Sequence, residues 1–372
     1  EETPIKEIPI WELKTQINKD FKNERDVVDA VDSLLEKVVR DHLIADVKVG
    51  SFLSAGIDSS LISYYSALAQ NGIPTFTAAF EGEPEDESII AAETSKKIKS
   101  SPYQFNVQNG FFNGLEDHFS HMDQPFGISS ALSLSRISAL AKPIVKVVLS
   151  GDGADELFAG YDRHGVFPEP PQFKFLPLPV RKILFKAGYL LTSKDSLKFA
   201  LADMNLSNDF KYASRLTLNY GTFDNGFLSP DFQNQVDPFR YLSRFKGIWN
   251  SYQEGDLINQ MLFTDIKTSL VDEMLVKADR MPLHQGIEGR VPFLDHRVVE
   301  LAMQIPSHLK KSENIGKIPL RLLVSKYLGT QLGERKKTGF NSPLKKMLLQ
   351  DPDTISRFED EVKFLKTLNF LE

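Results

Sequence analysis

The sequence predicts an α/β fold with a mostly parallel, doubly wound sheet, followed by a mainly helical C-terminal half. Short apolar segments alternate with amphipathic helical patterns over the first 165 residues, and longer helical patterns dominate from residue 257 onward. Strands that alternate with helices form parallel sheets through right-handed crossovers, with helices on both faces. The alternation therefore predicts the sheet, and the later patterns predict the helical half.

The first predicted elements are a helix, a strand and a second helix. Residues 25–42 place five Val and Leu side chains on one side of a 3.6-residue helix. The segment "DVKVGSFLS" that follows is rich in Val and Phe, which is typical of a buried strand. A break of small residues, "SAGIDSS", then separates this strand from the helical pattern "LISYYSALAQNG". The order is strand, tight turn and helix.

The same unit recurs along the chain. "PTFTAAF" predicts a second strand, "DESIIAAETSKKI" a helix opened by acids, and "YQFNV" a third strand. After another helical pattern, the apolar "PIVKVVLS" predicts a further buried strand that leads into "GDGADE". Ligands of such sheets bind beyond the carboxyl ends of the strands. Both breaks of small and acidic residues therefore fall at the expected active-site edge.

Composition excludes several classes of protein. The chain has 372 residues, 41% of them apolar, which suffices for about two domains of roughly 150 residues each. A net charge of −6 gives no global attraction to nucleic acids or anionic membranes, so we expect neither as a partner. The absence of cysteine removes disulfides and thiol nucleophiles and favours a cytoplasmic location. We find no signal peptide and no apolar run of about 20 residues that would predict a membrane span.

A proline cluster from Pro168 to Pro179 interrupts the regular pattern and predicts a loop or lid. We therefore divide the chain into four parts. They are a linker remnant at residues 1–24, a nucleotide-binding α/β core at 25–165, a proline-containing loop and helical insertion at 166–256, and a helical part at 257–372 that completes the active site.

Two turns carry the residues best suited to chemistry. The turn at residues 54–60 ends a strand and opens a helix, so its backbone N–H groups and hydroxyls suit phosphate oxygens. Asp58 would repel phosphate unless a cation lay between them, and Mg²⁺ binds through one or two carboxylates plus phosphate oxygens. Asp155 offers a second such acid, so two loops could hold one metal-bound nucleotide. On composition alone, each turn is more often an ordinary helix cap.

A set of motifs resembles the synthetase part of the asparagine synthase family, within the wider group of ATP pyrophosphatases. The motifs follow the family order over nearly the whole chain, and "GADELFAGY" with "RVPFLDH" is highly specific. The resemblance implies the adenine nucleotide alpha hydrolase-like form of the doubly wound sheet. The matching segments are "FLSAGIDSSL" from Phe52, "FEGEPEDES" from Phe80, "DQPFG" from Asp123, "LSGDGADELFAGY" from Leu149, "KADRMPLHQGIEGRVPFLDHRVVELA" from Lys277, "GKIPLRLL" from Gly316 and "KKTGFNSPL" from Lys336.

The resemblance implies a carbon–nitrogen ligase that forms AMP. Family members activate a carboxylate with ATP and release pyrophosphate, leaving an acyl-adenylate that an amine attacks. Aspartate is the first carboxylate to test, with ammonia as the amine and asparagine as the product. Two alternatives stay open. One is a family paralogue that amidates or cyclises another carboxylate in secondary metabolism or glycan modification, and the other is a non-catalytic nucleotide-binding scaffold.

The resemblance also implies roles for single residues. Mg²⁺ would be held by Asp58 and Asp155. Lys317 would stabilise the negative charge that develops during adenylation and acyl transfer, and Asp152 would lie beside the reacting carboxylate or amine. Glu288 is a further catalytic candidate, although it could instead belong to a structural ion pair. The residues expected to bind ATP are Leu53, Ser54, Gly56, Asp58, Ser59, Ser60, Ala78, Ser150 and Gly151.

The sequence departs from the family pattern in three places. Ala55 replaces the second residue of the usual S-G-G-x-D-S loop, and its methyl group is harmless only if the backbone has a negative φ. The segment "DRMPLHQG" has Pro282, Leu283 and His284 in place of the family's usual small polar and Met-Ala residues, near the position at which family members bind the acceptor. Glutamine-dependent members begin with a glutaminase domain that uses a cysteine, and this chain has none. We expect that a glutaminase domain was removed, is a separate chain, or is replaced by free ammonia or another amine; a homodimer is among the possible assemblies.

Overall fold

The protein is described by a computed structural model that covers most of the sheet-forming half and parts of the rest. It divides into two compact units, of which unit 1 is Glu1–Tyr161 with Leu270–Gln350 and unit 2 is Asp162–Ser269 with Asp351–Glu372. Most of the predicted proline-containing loop, and nearly all of the motifs "DQPFG" and "KKTGFNSPL", lie outside the described residues. The residues that the structure describes are 10–83, 86–107, 120–122, 126, 128, 130–165, 177, 179–180, 183, 207–216, 238–313, 315–336 and 356.

Unit 1 contains a five-stranded sheet in the order β3-β2-β1-β4-β5, with all four neighbouring pairs parallel. This sheet confirms the predicted α/β class and four of its strands were expected from the sequence. The fifth strand lies in the half that was predicted to be helical, and it is only three residues long. The strands are β1 Val49–Phe52, β2 Pro74–Ala79, β3 Ser101–Asn106, β4 Val147–Leu149 and β5 Glu288–Arg290.

Helices flank the sheet and make up most of the remaining described chain. In unit 1 the α-helices are α1 Glu24–His42, α2 Ile57–Ala69, α3 Ser88–Ile98, α4 Ser130–Ala141, α5 Ala154–Phe158, α9 Leu275–His284, α10 His296–Gln304, α11 Ile318–Leu328 and α12 Thr330–Gly333, with a π-helix at Leu270–Met274 and 3₁₀ turns at Pro292–Leu294 and Ser307–Leu309. In unit 2 they are α6 Asn208–Leu216, α7 Pro238–Ser251 and α8 Leu257–Lys267. No helix among the described residues is long and apolar enough to cross a membrane.

Local sequence signals explain where these helices begin and what they bury. Asn23 caps α1 by accepting a hydrogen bond from the Asp26 N–H at 3.1 Å. Four of the five side chains in the predicted Val and Leu stripe are buried, and Leu34 is partly buried. Asp256 caps α8 in the same way. The segment from Gly255 to Arg280 has one continuous amphipathic helical pattern in the sequence, but it is not one helix, because α8 ends at Lys267 and a π-helix precedes α9.

One hydrophobic core cluster of unit 1 consists of strand residues that pack against α4 and α9. Phe76 of β2 and Val148 of β4 are fully buried in this cluster, together with Ile137 of α4 and Met281 of α9. Removal of each such side chain from water contributes about 1.5–3 kcal/mol. This packing fixes the strands in register, so their carboxyl ends form one edge.

Unit 2 contains a fully buried carboxylate, Asp265 of α8. Its Oδ2 accepts hydrogen bonds from Arg163 at 2.9 Å and His164 at 2.8 Å, and its Oδ1 accepts one from Tyr212 at 2.7 Å. Burial acts to raise the pKa of Asp265, but His164, Arg163 and Tyr212 together lower it below its usual value. The carboxylate is therefore charged and joins three segments of unit 2.

Replacing Asp265 with asparagine is expected to destabilise unit 2 by about 3–5 kcal/mol, because it leaves the Arg163 guanidinium without its buried counter-charge. The contribution of the Asp265 carboxylate is present above the unfolded pKa near 4 and is lost as pH falls through the lower folded pKa. Urea unfolding at neutral and acidic pH measures both effects. Asp256→Asn on the same helix is the control, because asparagine caps a helix as well as aspartate does. Equal unfolding midpoints for the two variants would contradict the account.

Candidate active site

The two predicted turns meet at the carboxyl edge of the sheet, because β1 and β4 are parallel neighbours. Ser51 of β1 pairs with Leu149 of β4, and each strand then passes into its turn and a helix. Leu53, the first residue after β1, donates its N–H to Phe76 O at 2.9 Å and accepts from Thr77 Oγ1 at 2.8 Å. The neighbouring strand β2 therefore anchors the start of the first turn.

Hydroxyl groups organise the first turn, residues 54–60. Ser54 Oγ and Ser59 Oγ lie 2.9 Å apart, and Ser54 Oγ accepts from the Gly56 N–H at 3.0 Å. Ser60 is fully buried in the first turn of α2, so its hydroxyl is out of reach of solvent in this conformation. The turn is compact, and Gly56 is the N-cap residue of α2.

Ala55 is accommodated without backbone strain. Its φ is not among the positive values of the described residues, so the methyl group has no conformational cost there. Glu87 Oε2 accepts from the Ala55 N–H at 3.2 Å, and Arg335 Nη1 donates to the Ala55 carbonyl at 3.0 Å. Arg335 and Glu87 also form an ion pair at 3.3 Å. The Ala55 residue is thus held from both sides, in a loop that differs from the family pattern at this position.

The second turn, residues 150–153, packs directly against the first. A Cβ atom on Gly151 would lie 2.7 Å from the Ser59 backbone nitrogen and 2.8 Å from the Asp58 carbonyl carbon, so only glycine permits this approach. Asp152 Oδ2 accepts from Ser150 Oγ at 2.8 Å, and Lys277 Nζ contacts Asp152 Oδ1 at 3.0 Å. The turn therefore presents an oriented carboxylate that is paired with a buried lysine.

A buried ion cluster joins the first turn and α5, which follows the second turn, to α11. The ammonium of Lys317 lies 2.5 Å from Asp58 Oδ2 and 2.7 Å from Asp155 Oδ1, and only 6% of the Lys317 side chain is exposed. Burial acts to lower the pKa of Lys317, but Asp155 and Asp58 raise it well above its usual value. Lys317 is therefore a permanent cation. We call Lys317, Asp58 and Asp155 the Lys317 cluster.

Two glycines create the space for the Lys317 cluster. Lys317 has a φ of +60° and donates its N–H to Phe158 O at 2.8 Å. A Cβ atom on Gly316 would overlap the Ala159 carbonyl oxygen, and one on Gly160 would overlap both Asp155 Oδ1 and Lys317 Cε. The "FAGY" segment therefore packs directly against the "GK" pair, and this close contact requires both glycines.

The remaining predicted residues lie in different surroundings. Ala78 is buried near the carboxyl end of β2. Glu288 is the first residue of β5, at the end of the strand opposite to the turns, and its half-exposed carboxylate pairs with Arg290 at 2.7 Å. The structure thus shows the alternative ion pair, and a catalytic role for Glu288 stays a prediction. In the segment "DRMPLHQG", the ring centroid of His284 lies 3.9 Å from that of His121.

Sequence reasoning missed three residues that contact the predicted site. Glu87 and Arg335 hold Ala55, and Lys277 pairs with Asp152. Glu87 and Lys277 lie inside motifs that we had quoted, and Arg335 directly precedes another. Position within a family motif was therefore the available signal.

Asp58 and Asp155 supply oxygen ligands that suit a divalent cation, and the ammonium of Lys317 takes the position between them. Because these carboxylates, at the starts of α2 and α5, contact the same nitrogen atom, they converge on one point, and a bound Mg²⁺ would displace the Lys317 ammonium from it. Among the described residues there is no group of three or more His, Cys, Asp or Glu side chains suited to a metal. A pair of carboxylates is nevertheless sufficient when a nucleotide supplies the other oxygens.

Comparisons with known proteins give relatives along most of the chain. Asparagine synthetase (glutamine-hydrolyzing) 1 of Bacillus subtilis is 29% identical over 344 residues, which cover 90% of this chain and 53% of the relative. Amidase chyE of Penicillium rubens is 25% identical and matches 81% of this chain and 50% of its own length. The chain spans about half the length of these curated relatives.

Among solved structures, an NH3-dependent NAD synthetase from Campylobacter jejuni aligns with 68% of this chain and 97% of its own, at 11% identity and a TM-score of 0.30. The family model described as asparagine synthase matches residues 30–362. That range includes both turns, the five strands and all of the Lys317 cluster. Since the match extends over most of its length, the chain belongs to the asparagine synthase family.

Proposed function

We propose that this chain is an ATP-dependent amidoligase that adenylates a carboxylate and transfers the acyl group to ammonia or another amine. The observation that carries the proposal is the Lys317 cluster, in which a buried ammonium joins acids at the starts of α2 and α5, beyond the carboxyl ends of β1 and β4. The relatives named asparagine synthetase support aspartate as the carboxylate and asparagine as the product. The cytoplasmic location expected from the sequence belongs to the same proposal.

In the first half-reaction, a carboxylate oxygen of the substrate attacks the α-phosphorus of ATP, and the bond to the bridging α–β oxygen breaks. Pyrophosphate leaves with the electron pair of that bond. The backbone N–H groups of the turn at residues 54–60 are suited to bind the departing phosphates. Asp58 and Asp155 would hold Mg²⁺, which, when bound, neutralises phosphate charge. Lys317 would stabilise the charge that develops on the transferred group and the leaving group.

In the second half-reaction, the amine attacks the acyl carbon, AMP leaves and the amine loses a proton. Asp152 is the carboxylate that we assign to this side of the site. Ser150 and Lys277 fix both of its oxygens, so it can orient an incoming amine without moving. A carboxylate oxygen held in this way is suited to accept hydrogen bonds from N–H groups.

The length of the Bacillus subtilis relative supports an inference about the source of the amine. The Bacillus subtilis relative is named glutamine-hydrolyzing, and this chain matches 53% of its length. We infer that a glutaminase domain or chain supplies ammonia in the whole protein, and that free ammonia replaces it for the isolated chain.

A substrate panel tests the proposal. The purified chain is incubated with MgATP, an ammonium salt and one carboxylate at a time, and pyrophosphate release is measured. We expect release with aspartate, with asparagine as the product, and background release from a Lys317→Met control. Pyrophosphate release with a bulkier acid and not with aspartate would favour the paralogue function. The relative named amidase chyE supports that alternative. MgATP binding without turnover for any carboxylate would contradict the proposal and indicate a scaffold.

A further inference from the structure

A second carboxylate outside the active site joins three helices of unit 1. Asp32 of α1 accepts hydrogen bonds from Tyr65 of α2 and Tyr327 of α11, each at 2.6 Å. Lys326 of α11 contacts the same carboxylate at 2.9 Å. We call Asp32, Tyr65, Lys326 and Tyr327 the Asp32 cluster.

The Asp32 cluster is more than a surface ion pair. Only 14% of the Asp32 side chain is exposed, and Tyr65 is buried. Tyr64 stacks on Tyr327 with ring centroids 4.5 Å apart, and Lys326 lies over the Tyr327 ring at 4.7 Å. Hydrogen bonds to a charged acceptor are about twice as strong as neutral ones, and burial excludes the water that would replace them. One side chain therefore fixes α2 and α11 relative to each other.

The same two helices carry two members of the Lys317 cluster. Asp58 is the second residue of α2, and Lys317 is the N-cap residue of α11. Tyr65 follows Asp58 by seven residues and Tyr327 follows Lys317 by ten, which corresponds to about 10 Å and 15 Å along the helices at 1.5 Å per residue. Helices α1, α2 and α11 also pack against one another. A tilt of α11 at the Asp32 end would therefore move Lys317 at the other end.

We propose that Asp32 is a positioning residue for the Lys317 cluster. Apolar helix contacts tolerate small slides and rotations, whereas three hydrogen bonds on one carboxylate define a single arrangement. By fixing the far ends of α2 and α11, Asp32 sets the distance between Lys317 Nζ and Asp58. Asp32 does not touch the reacting groups and acts only through Lys317.

Chemical labelling of lysine amines tests the proposal without any assumption about the reaction. Asp32→Asn and Asp29→Asn are each treated with an acylating reagent, and the extent of labelling is measured by mass spectrometry. Asp29 lies on the same helix, is 65% exposed and contacts Arg25 only at 3.8 Å. Lys277 is the internal control, because it is buried in another carboxylate pair and lies on neither α2 nor α11.

We expect Asp32→Asn to increase the labelling of Lys317 about tenfold, the effect of losing one hydrogen bond to a charged group, with Lys277 and the Asp29→Asn variant unchanged. Tyr327→Phe removes a single hydroxyl and should increase the labelling of Lys317 by a smaller factor. This variant tests the proposal if Asp32→Asn fails to fold. Unchanged Lys317 labelling in these variants would overturn the proposal. So would an equal rise at Lys317 and Lys277, because that result indicates general loosening.

A double-mutant cycle then asks whether Asp32 acts through Lys317, and this step rests on the proposed function. Carboxylate-dependent pyrophosphate exchange is measured for Asp32→Asn, Lys317→Met and the pair. We expect Asp32→Asn to lower the rate about tenfold in the wild-type background and to have no further effect when Lys317 is absent. If the double variant lost the product of the two single-variant rate losses, the proposal would be overturned. If the wild type shows no exchange, the proposed function fails while the labelling result still decides the role of Asp32.

Discussion

Replacing Lys317 with methionine is expected to lower the rate of carboxylate-dependent pyrophosphate exchange about 10²- to 10³-fold. A preorganised charge in a site that excludes water contributes this much when it meets the charge of the transition state. Methionine keeps the length and apolar stem of lysine, so the change isolates the ammonium. Radiolabelled pyrophosphate exchange measures the rate, and Lys37→Met, an exposed lysine on α1, is the matched control.

The same variant gives a second readout that needs no turnover. Without the ammonium, Asp58 and Asp155 are like charges held close together, which destabilises the folded chain. Mg²⁺ added without nucleotide should therefore raise the melting temperature of Lys317→Met by about 2–4 °C more than that of the wild type. A variant with the wild-type exchange rate, or one that Mg²⁺ does not stabilise selectively, would contradict the assignment of the Lys317 cluster.

Replacing Gly160 with alanine is expected to lower the exchange rate about 10²-fold, because a displacement of about 1 Å at reacting groups has this effect. The new methyl group would overlap Asp155 Oδ1 and Lys317 Cε, so both side chains must move. Overpacking at such a site also costs about 1–3 kcal/mol of folding stability. Exchange assays and urea unfolding together separate the two effects.

Gly247→Ala is the control for this change, because Gly247 lies in α7 and a Cβ atom there meets nothing within 4 Å. Alanine in a helix interior is favoured over glycine by about 1 kcal/mol, so the control should be neutral or slightly stabilised. If Gly160→Ala kept the wild-type exchange rate, the close packing of "FAGY" against "GK" would have no catalytic consequence.

The sheet could be predicted from sequence because its strands differ clearly from their surroundings. The apolar segments around β1, β2, β3 and β4 are bounded by small or polar residues, and all four strands lie where the patterns placed them. The strand β5 was missed because three residues that read Glu-Gly-Arg carry no alternating pattern. The break between α8 and α9 was missed because the apolar periodicity continues through the π-helix.

Single residues of the candidate site could be predicted from motifs. The contacts between residues far apart in the sequence could not. Asp58, Asp155 and Lys317 were named from motifs, and the structure brings all three together. The partner of Asp152, in contrast, is a lysine 125 residues away, and Asp32 meets Tyr327 across 295 residues. Such pairs depend on how helices pack, which local patterns do not specify.

The bond that is broken in ATP is the most direct test of the central claim, that the Lys317 cluster serves adenylation. The chain is incubated with MgATP, ammonium and the carboxylate that performs best in the panel, and the nucleotide products are separated by chromatography. Attack at the α-phosphorus predicts AMP and pyrophosphate in equal amounts, formed only when the carboxylate is present. ADP and inorganic phosphate as the main products would contradict the account.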